Sequence, residues 1–128
     1  MKKILITGGL GYIGTHIATI LASNNVQFLI FDNLSNCKST VIKRLEKIIN
    51  QKLDFVKGDI SDSEKLIEIM QKNEISSVLH LAALKSVEDS LTSPIDYYKT
   101  NISGTISLIS AMKKTNVRNL VFSSSATV

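Results

Sequence analysis

Four glycines fall within seven positions, Gly8, Gly9, Gly11 and Gly14, directly after the apolar run Ile4-Leu5-Ile6-Thr7. An apolar stretch of β type that gives way to glycine and reopens as a helical pattern restricts this chain more than any other feature. It predicts a strand ending at Thr7, a turn through Gly8, Gly9 and Gly11, and a helix opening near Gly14. Glycine permits positive φ in such a turn and removes the Cβ atoms that would hold the backbone away from a ligand. The helix behind the turn points unpaired N–H groups and the positive end of its dipole outward, which suits an anion such as a pyrophosphate. The segment fits G-x-G-x-x-G through Gly9, Gly11 and Gly14, and T-G-x-x-G-x-x-G through Thr7, Gly8, Gly11 and Gly14.

The setting sharpens this reading. A second strand, Gln27 to Asp32, ends in an acid eighteen residues after Gly14. A carboxylate there can accept hydrogen bonds from adenosine ribose hydroxyls and repels a 2′-phosphate, so the residues favour NAD over NADP. The competing reading is a plain strand-turn-helix junction, with packing glycines and an ordinary strand-end acid.

At 128 residues with 44% hydrophobic content, the chain suits one globular domain that buries roughly two-thirds of its unfolded surface. The opening Met1-Lys2-Lys3 followed by an apolar run resembles a signal peptide. That run stops at Thr7, short of the ~7-residue minimum for a signal core, and nothing approaches the ~18 apolar residues of a membrane span. A membrane partner is therefore not expected. A single cysteine, Cys37, allows no internal disulfide and points to a reducing, cytoplasmic compartment. The net charge of +4 comes from fifteen scattered basic residues. Their densest cluster, Lys38, Lys43, Arg44 and Lys47, alternates with Val41, Ile42, Leu45 and Ile48 as on an amphipathic helix, so no nucleic-acid partner is expected.

Apolar runs and helical patterns alternate along the chain. Strands are predicted near Ile4–Thr7, Gln27–Asp32, Leu53–Lys57, Ser77–Leu81 and Asn119–Ser123, with a helical stretch between each pair. Such alternation implies an α/β fold with a parallel sheet, by analogy a Rossmann-type three-layer sandwich of strand order 3-2-1-4-5. The first helix carries Ile13, Ile17, Ile20 and Leu21 on one face, the face an amphipathic helix turns to the sheet. The third opens with Ser61 as its cap and Glu64 reaching back to it. The fourth starts at Ser93-Pro94 and runs through Ile95, Tyr98, Ile102, Ile106 and Ile109 to about Met112.

Polar residues recur at the ends of these strands. Asp59 stands where it either approaches an adenine or serves as a turn acid before the third helix. Lys85, after small Ala82 and Ala83, either presents a cation to phosphates or ribose or is simply solvated. His16 and His80 have no partners at metal-ligand or triad spacing and read as structural, so no metal site is expected. Ser123, Ser124 and Ser125 either face a substrate oxygen or form a solvated turn.

With these residues in view, the chain resembles the amino-terminal part of the extended short-chain dehydrogenase/reductase family and, within it, the UDP-glucose 4-epimerases. The similarity rests on TGGLGYIGTHIATIL, FDNLSN, KGDISD, HLAALKSVEDS, SPIDYYKTNISGTISLISAM and LVFSSSATV, and spans essentially the whole chain. Lys85 is the discriminating residue, because related dehydratases and decarboxylases carry other residues there; Ala83 stands where those epimerases usually have glycine. The resemblance implies that Gly8, Gly11, Tyr12, Ile13 and Gly14 hold the pyrophosphate of NAD, and that Asp32, Asn33, Leu34, Ser35 and Asn36 surround the adenosine ribose. It further implies Asp59 and Ile60 beside the adenine, Leu81, Ala82, Ala83 and Lys85 on the nicotinamide side, and Asn101 or its neighbour Thr100 as a further cofactor contact. Ser125 would hydrogen-bond the reacting oxygen of a nucleotide-sugar substrate. The implied reaction interconverts UDP-glucose and UDP-galactose through a 4-keto sugar, with hydride passing transiently to bound NAD, in a homodimer.

The family's base is the tyrosine of a Tyr-x-x-x-Lys pair. Four positions after Tyr12, Tyr97 and Tyr98 stand His16, Asn101 and Ile102, so the pair is missing from these residues. The sequence is accordingly expected to be the amino-terminal portion of a longer enzyme, inactive alone, with residues 1–128 forming part of an NAD-binding domain. Another sugar-nucleotide epimerase or a 4,6-dehydratase stays open within the fold, as does a non-catalytic dinucleotide sensor; a methyltransferase binding S-adenosylmethionine is a more distant reading.

Overall fold

Residues 2–124 are described by the computed structural model. Among them the strands are β1 (Lys3–Thr7), β2 (Phe28–Asp32), β3 (Phe55–Lys57), β4 (Ile75–His80) and β5 (Asn119–Phe122). All pair in parallel, in the order β3-β2-β1-β4-β5. The predicted strand order is the observed one. β4 starts two residues before the predicted boundary, at Ile75, because buried Ile75 precedes two serines that mask the apolar signal. Its pairing with β1 shifts register between Lys3 and Ile4.

Side chains alternate across the sheet, and each face has its own core. Leu5, Leu29, Phe31 and Val78 pack with Leu66, Ile69 and Met70 of α3 (Ser63–Lys72) and with Leu108, Ala111 and Met112 of α6 (Gly104–Lys114). Ile6, Phe28 and Ile30 pack on the opposite face with Ala18 of α1 (Tyr12–Ser23) and Leu45 of α2 (Thr40–Ile49). The result is the predicted three-layer sandwich, with a crevice where the chain leaves β1 on one side and β4 on the other.

Three local expectations need correction. Ile13 and Ile20 are exposed, because α1 lies close to the sheet through its small residues Gly14 and Ala18. The α3 cap is Asp62, whose Oδ1 accepts the Lys65 N–H at 3.0 Å. Ser61 is drawn away by Asp59, whose Oδ1 accepts both the Ser61 N–H at 2.8 Å and its hydroxyl at 2.6 Å. Finally, the predicted fourth helix is preceded by a short α4 (Val87–Thr92), and it is not uniform. It runs from α5 (Pro94–Tyr98) through a π-helical turn (Lys99–Ser103) into α6.

Candidate functional site

The carboxyl ends of β1, β2 and β4 open into one cleft of about 630 Å³, within the size range of ligand sites. Gly8 makes the turn out of β1. Its φ of +68° is left-handed, and a Cβ there would lie 2.7 Å from the backbone of Ala82, so the glycine loop and the segment after β4 touch main chain to main chain. Gly11 is different. As the N-cap of α1 it has ordinary dihedrals, and an added Cβ would meet nothing closer than 3.5 Å. The fold does not demand glycine here; the cleft wall it forms is simply left bare. No side chain caps α1 and no acid lies in its first turn, so its leading N–H groups remain available to an anion.

Asp32 joins the two halves of this wall. Its Oδ2 accepts the Leu10 N–H of the glycine loop at 3.1 Å, and its Oδ1 accepts the Leu34 N–H at 2.9 Å. A carboxylate has about four acceptor positions, so the group that shapes the loops keeps capacity for ligand hydroxyls. Leu34 sits at φ +62°, a left-handed conformation that is rare for a bulky side chain. Its side chain turns into the α1/α2 core while Asn33, Ser35 and Asn36 stay on the cleft.

Behind the opposite wall runs a chain of polar side chains. Thr7 Oγ1 and His80 Nδ1 are 2.6 Å apart, and His80 Nε2 and Thr105 Oγ1 are 3.0 Å apart. The Thr105 hydroxyl donates to the Asn101 carbonyl at 2.7 Å, so Nε2 must carry the imidazole proton and Nδ1 must accept from Thr7. Burial pushes the His80 pKa below its ordinary value, consistent with a neutral ring. Asn101 then grips the backbone of Leu84 at both ends: Oδ1 accepts its N–H and Nδ2 donates to its carbonyl, each at 2.9 Å.

The cleft gathers Gly8, Gly11, Tyr12, Ile13, Gly14, Asp32, Asn33, Ser35, Asn36, Ile60, Leu81, Ala82, Ala83 and Lys85 from the predicted set. Three predicted residues do not line it. Asp59 is exposed and bonded to Ser61, whose hydroxyl and amide hold its carboxyl below the usual range, as a turn acid would be. Leu34 faces the core, and Asn101 serves Leu84 while its neighbour Thr100 lines the cleft. Ser125 lies outside the described residues. Cys37, Gly58, Ser86, Asp89 and Tyr97 also line the cleft, in addition to the predicted site residues. Burial, and after it the charge of Asp32, pushes the Cys37 thiol pKa up, which keeps it protonated and poorly nucleophilic. Among the described residues no cluster of His, Cys, Asp or Glu could hold a metal, and no helix is long and apolar enough to cross a membrane.

The family model for GDP-mannose 4,6 dehydratase matches residues 5–128. A UDP-glucose 4-epimerase of Neisseria meningitidis serogroup B is 45% identical over the whole chain, and this chain spans 38% of its length. A UDP-glucose 4-epimerase sequence from Klebsiella pneumoniae is 40% identical, over 98% of this chain and 91% of that sequence. The solved UDP-glucose-4-epimerase of Stenotrophomonas maltophila, which holds NAD and formylated UDP-arabinopyranose, superposes with a TM-score of 0.96 at 43% identity, over all of this chain and 38% of its own. The sequence, the sheet order and these likenesses agree: the chain belongs to the family described by the GDP-mannose 4,6 dehydratase model and is similar along its whole length to UDP-glucose 4-epimerases.

Proposed function

We propose that residues 1–128 form the NAD-binding portion of an epimerase that interconverts UDP-glucose and UDP-galactose. The observation that carries this reading is the pairing, in one cleft, of an uncapped α1 amino end behind bare Gly11 with the Asp32 carboxylate. The N–H groups at the start of α1 bind the diphosphate oxygens, and Asp32 accepts from the adenosine ribose while repelling a 2′-phosphate. Asn33, Ser35 and Asn36 flank that ribose, and Ile60 offers an apolar surface to the base. Leu81, Ala82, Ala83 and Lys85 then receive the other half of the dinucleotide across the crevice, as follows from the length of such a ligand and the order of the strands.

When bound, NAD supplies the reversible hydride acceptor that inversion at the sugar's 4-position requires. Ser125 orients the reacting hydroxyl in this reading. The proton is taken by a tyrosine of a Tyr-x-x-x-Lys pair, which these 128 residues do not contain, so the chain alone is inactive. The working enzyme is a cytoplasmic homodimer, consistent with the lone Cys37 and the apolar stripe on the α5–α6 run.

Calorimetric titration of the chain with NAD and NADP tests this directly. NAD should bind, with NADP at least about tenfold weaker. Asp32→Asn should narrow that difference by removing the repelling charge. Equal binding of the two cofactors to the unmodified chain would remove the assigned role of Asp32.

A further inference from the structure

We propose that Thr105, with Asn101 and His80, positions the segment after β4 to receive the half of the dinucleotide beyond the diphosphate, without touching the ligand. The inference rests on the NAD-binding reading above and adds residues to it. Along the polar chain described above, every group has its partner, and the hydrogen bonds run in one direction. The Ala82 N–H donates to Thr7 Oγ1 at 3.4 Å, Thr7 to His80, His80 to Thr105, and Thr105 to the carbonyl of Asn101, whose amide clamps Leu84.

The two ends of this relay hold the residues on either side of Ala83. Ala82 and Leu84 are therefore fixed from behind by side chains rooted in β1, β4 and the helical run, while their other side faces the cleft. Two further features point the same way. The relay meets the helix at its π turn, an irregularity often found at functional sites, with Asn101 inside it and Thr105 just beyond. The same segment is also packed against the Gly8 turn, so any shift of Ala82 meets backbone. Thr105 is not among the residues lining the cleft, so whatever it contributes to binding passes through Leu84 and His80.

A split between two probes distinguishes positioning from general support. Adenosine diphosphate carries the adenosine and diphosphate that the glycine loop and Asp32 recognise, but nothing that reaches Ala82–Leu84. Thr105→Val keeps the shape and removes the hydroxyl; it should weaken NAD about tenfold and leave adenosine diphosphate within about twofold. Thr105→Ser, which restores the hydroxyl, should restore NAD affinity. Asn101→Ala, which cuts the clamp itself, should show the same split and covers the case in which Thr105→Val fails to fold. A parallel loss of both probes, or unchanged NAD affinity, would overturn the positioning role while leaving the dinucleotide reading intact. Failure of the unmodified chain to bind either probe would overturn both.

Discussion

Two glycines three positions apart answer to different demands, and substitution separates them. Gly8 is required by the fold: alanine there meets both a left-handed φ and the Ala82 backbone at 2.7 Å, and should cost about 3 kcal/mol in denaturant melts. Gly11 is not required by the fold, and the proposed function gives it to the ligand: alanine there should cost no more than about 1 kcal/mol of stability, yet weaken NAD at least about tenfold in the same preparations. The glycine spacing was plain in the sequence, but which glycine serves which purpose was not, because it depends on the Ala82 backbone, remote along the chain. His80 illustrates the same point, since its partners Thr7 and Thr105 are remote in sequence and only the fold brings them to it. Its depressed pKa makes stability depend on pH with a definite sign. Below about 6.5 the unfolded chain takes up a proton that the folded chain refuses, so stability from the neutral ring is complete above that pH and is lost as the pH falls. Urea midpoints measured from pH 7 down to pH 5 should therefore fall more steeply for the unmodified chain than for His80→Gln.

At the scale of elements, periodicity located the strands and most of the helices, and the errors are local competitions for hydrogen bonds. Ser61 fitted a capping box, yet Asp59 holds its hydroxyl and amide, and Asp62 takes over as the cap. Asp62→Ala should thus cost about 1 kcal/mol, and Ser61→Ala less than half as much, by urea denaturation; the reverse order would return the cap to Ser61. The short α4 does carry a signal in the sequence: Ser86 is followed three residues later by Asp89, whose N–H it accepts at 3.2 Å. The π turn carried no such signal. An extra residue within a helix leaves the pattern of Ile95, Tyr98, Ile102, Ile106 and Ile109 looking regular, and its purpose, placing Asn101 against Leu84, lies seventeen residues back along the chain.

For the molecule as a whole, the α/β class and the parallel sheet followed from the alternation of strand and helix, because each crossover must bury its apolar face on the sheet, while the strand order came by analogy with dinucleotide-binding folds. One helical pattern did not end up buried. Ile95, Tyr98, Ile102, Ile106 and Ile109 lie exposed along the α5–α6 run, and Leu120, Val121 and Phe122 lie exposed on β5. An apolar stripe of this length favours association. Multi-angle light scattering of the chain should show mass rising with concentration, and Ile102→Glu with Ile106→Glu should shift it towards the monomer; a concentration-independent monomer would leave the stripe without that role.

The path of the dinucleotide is tested most directly by amide NMR of the labelled chain during NAD titration. The largest shifts are expected at Gly11, Tyr12 and Ile13, with Asn33 and the Ala82–Lys85 segment moving in the same titration. Shifts confined to the opposite edge of the sheet, around Ile75 and Asn119, would contradict a ligand laid across the crevice between β1 and β4.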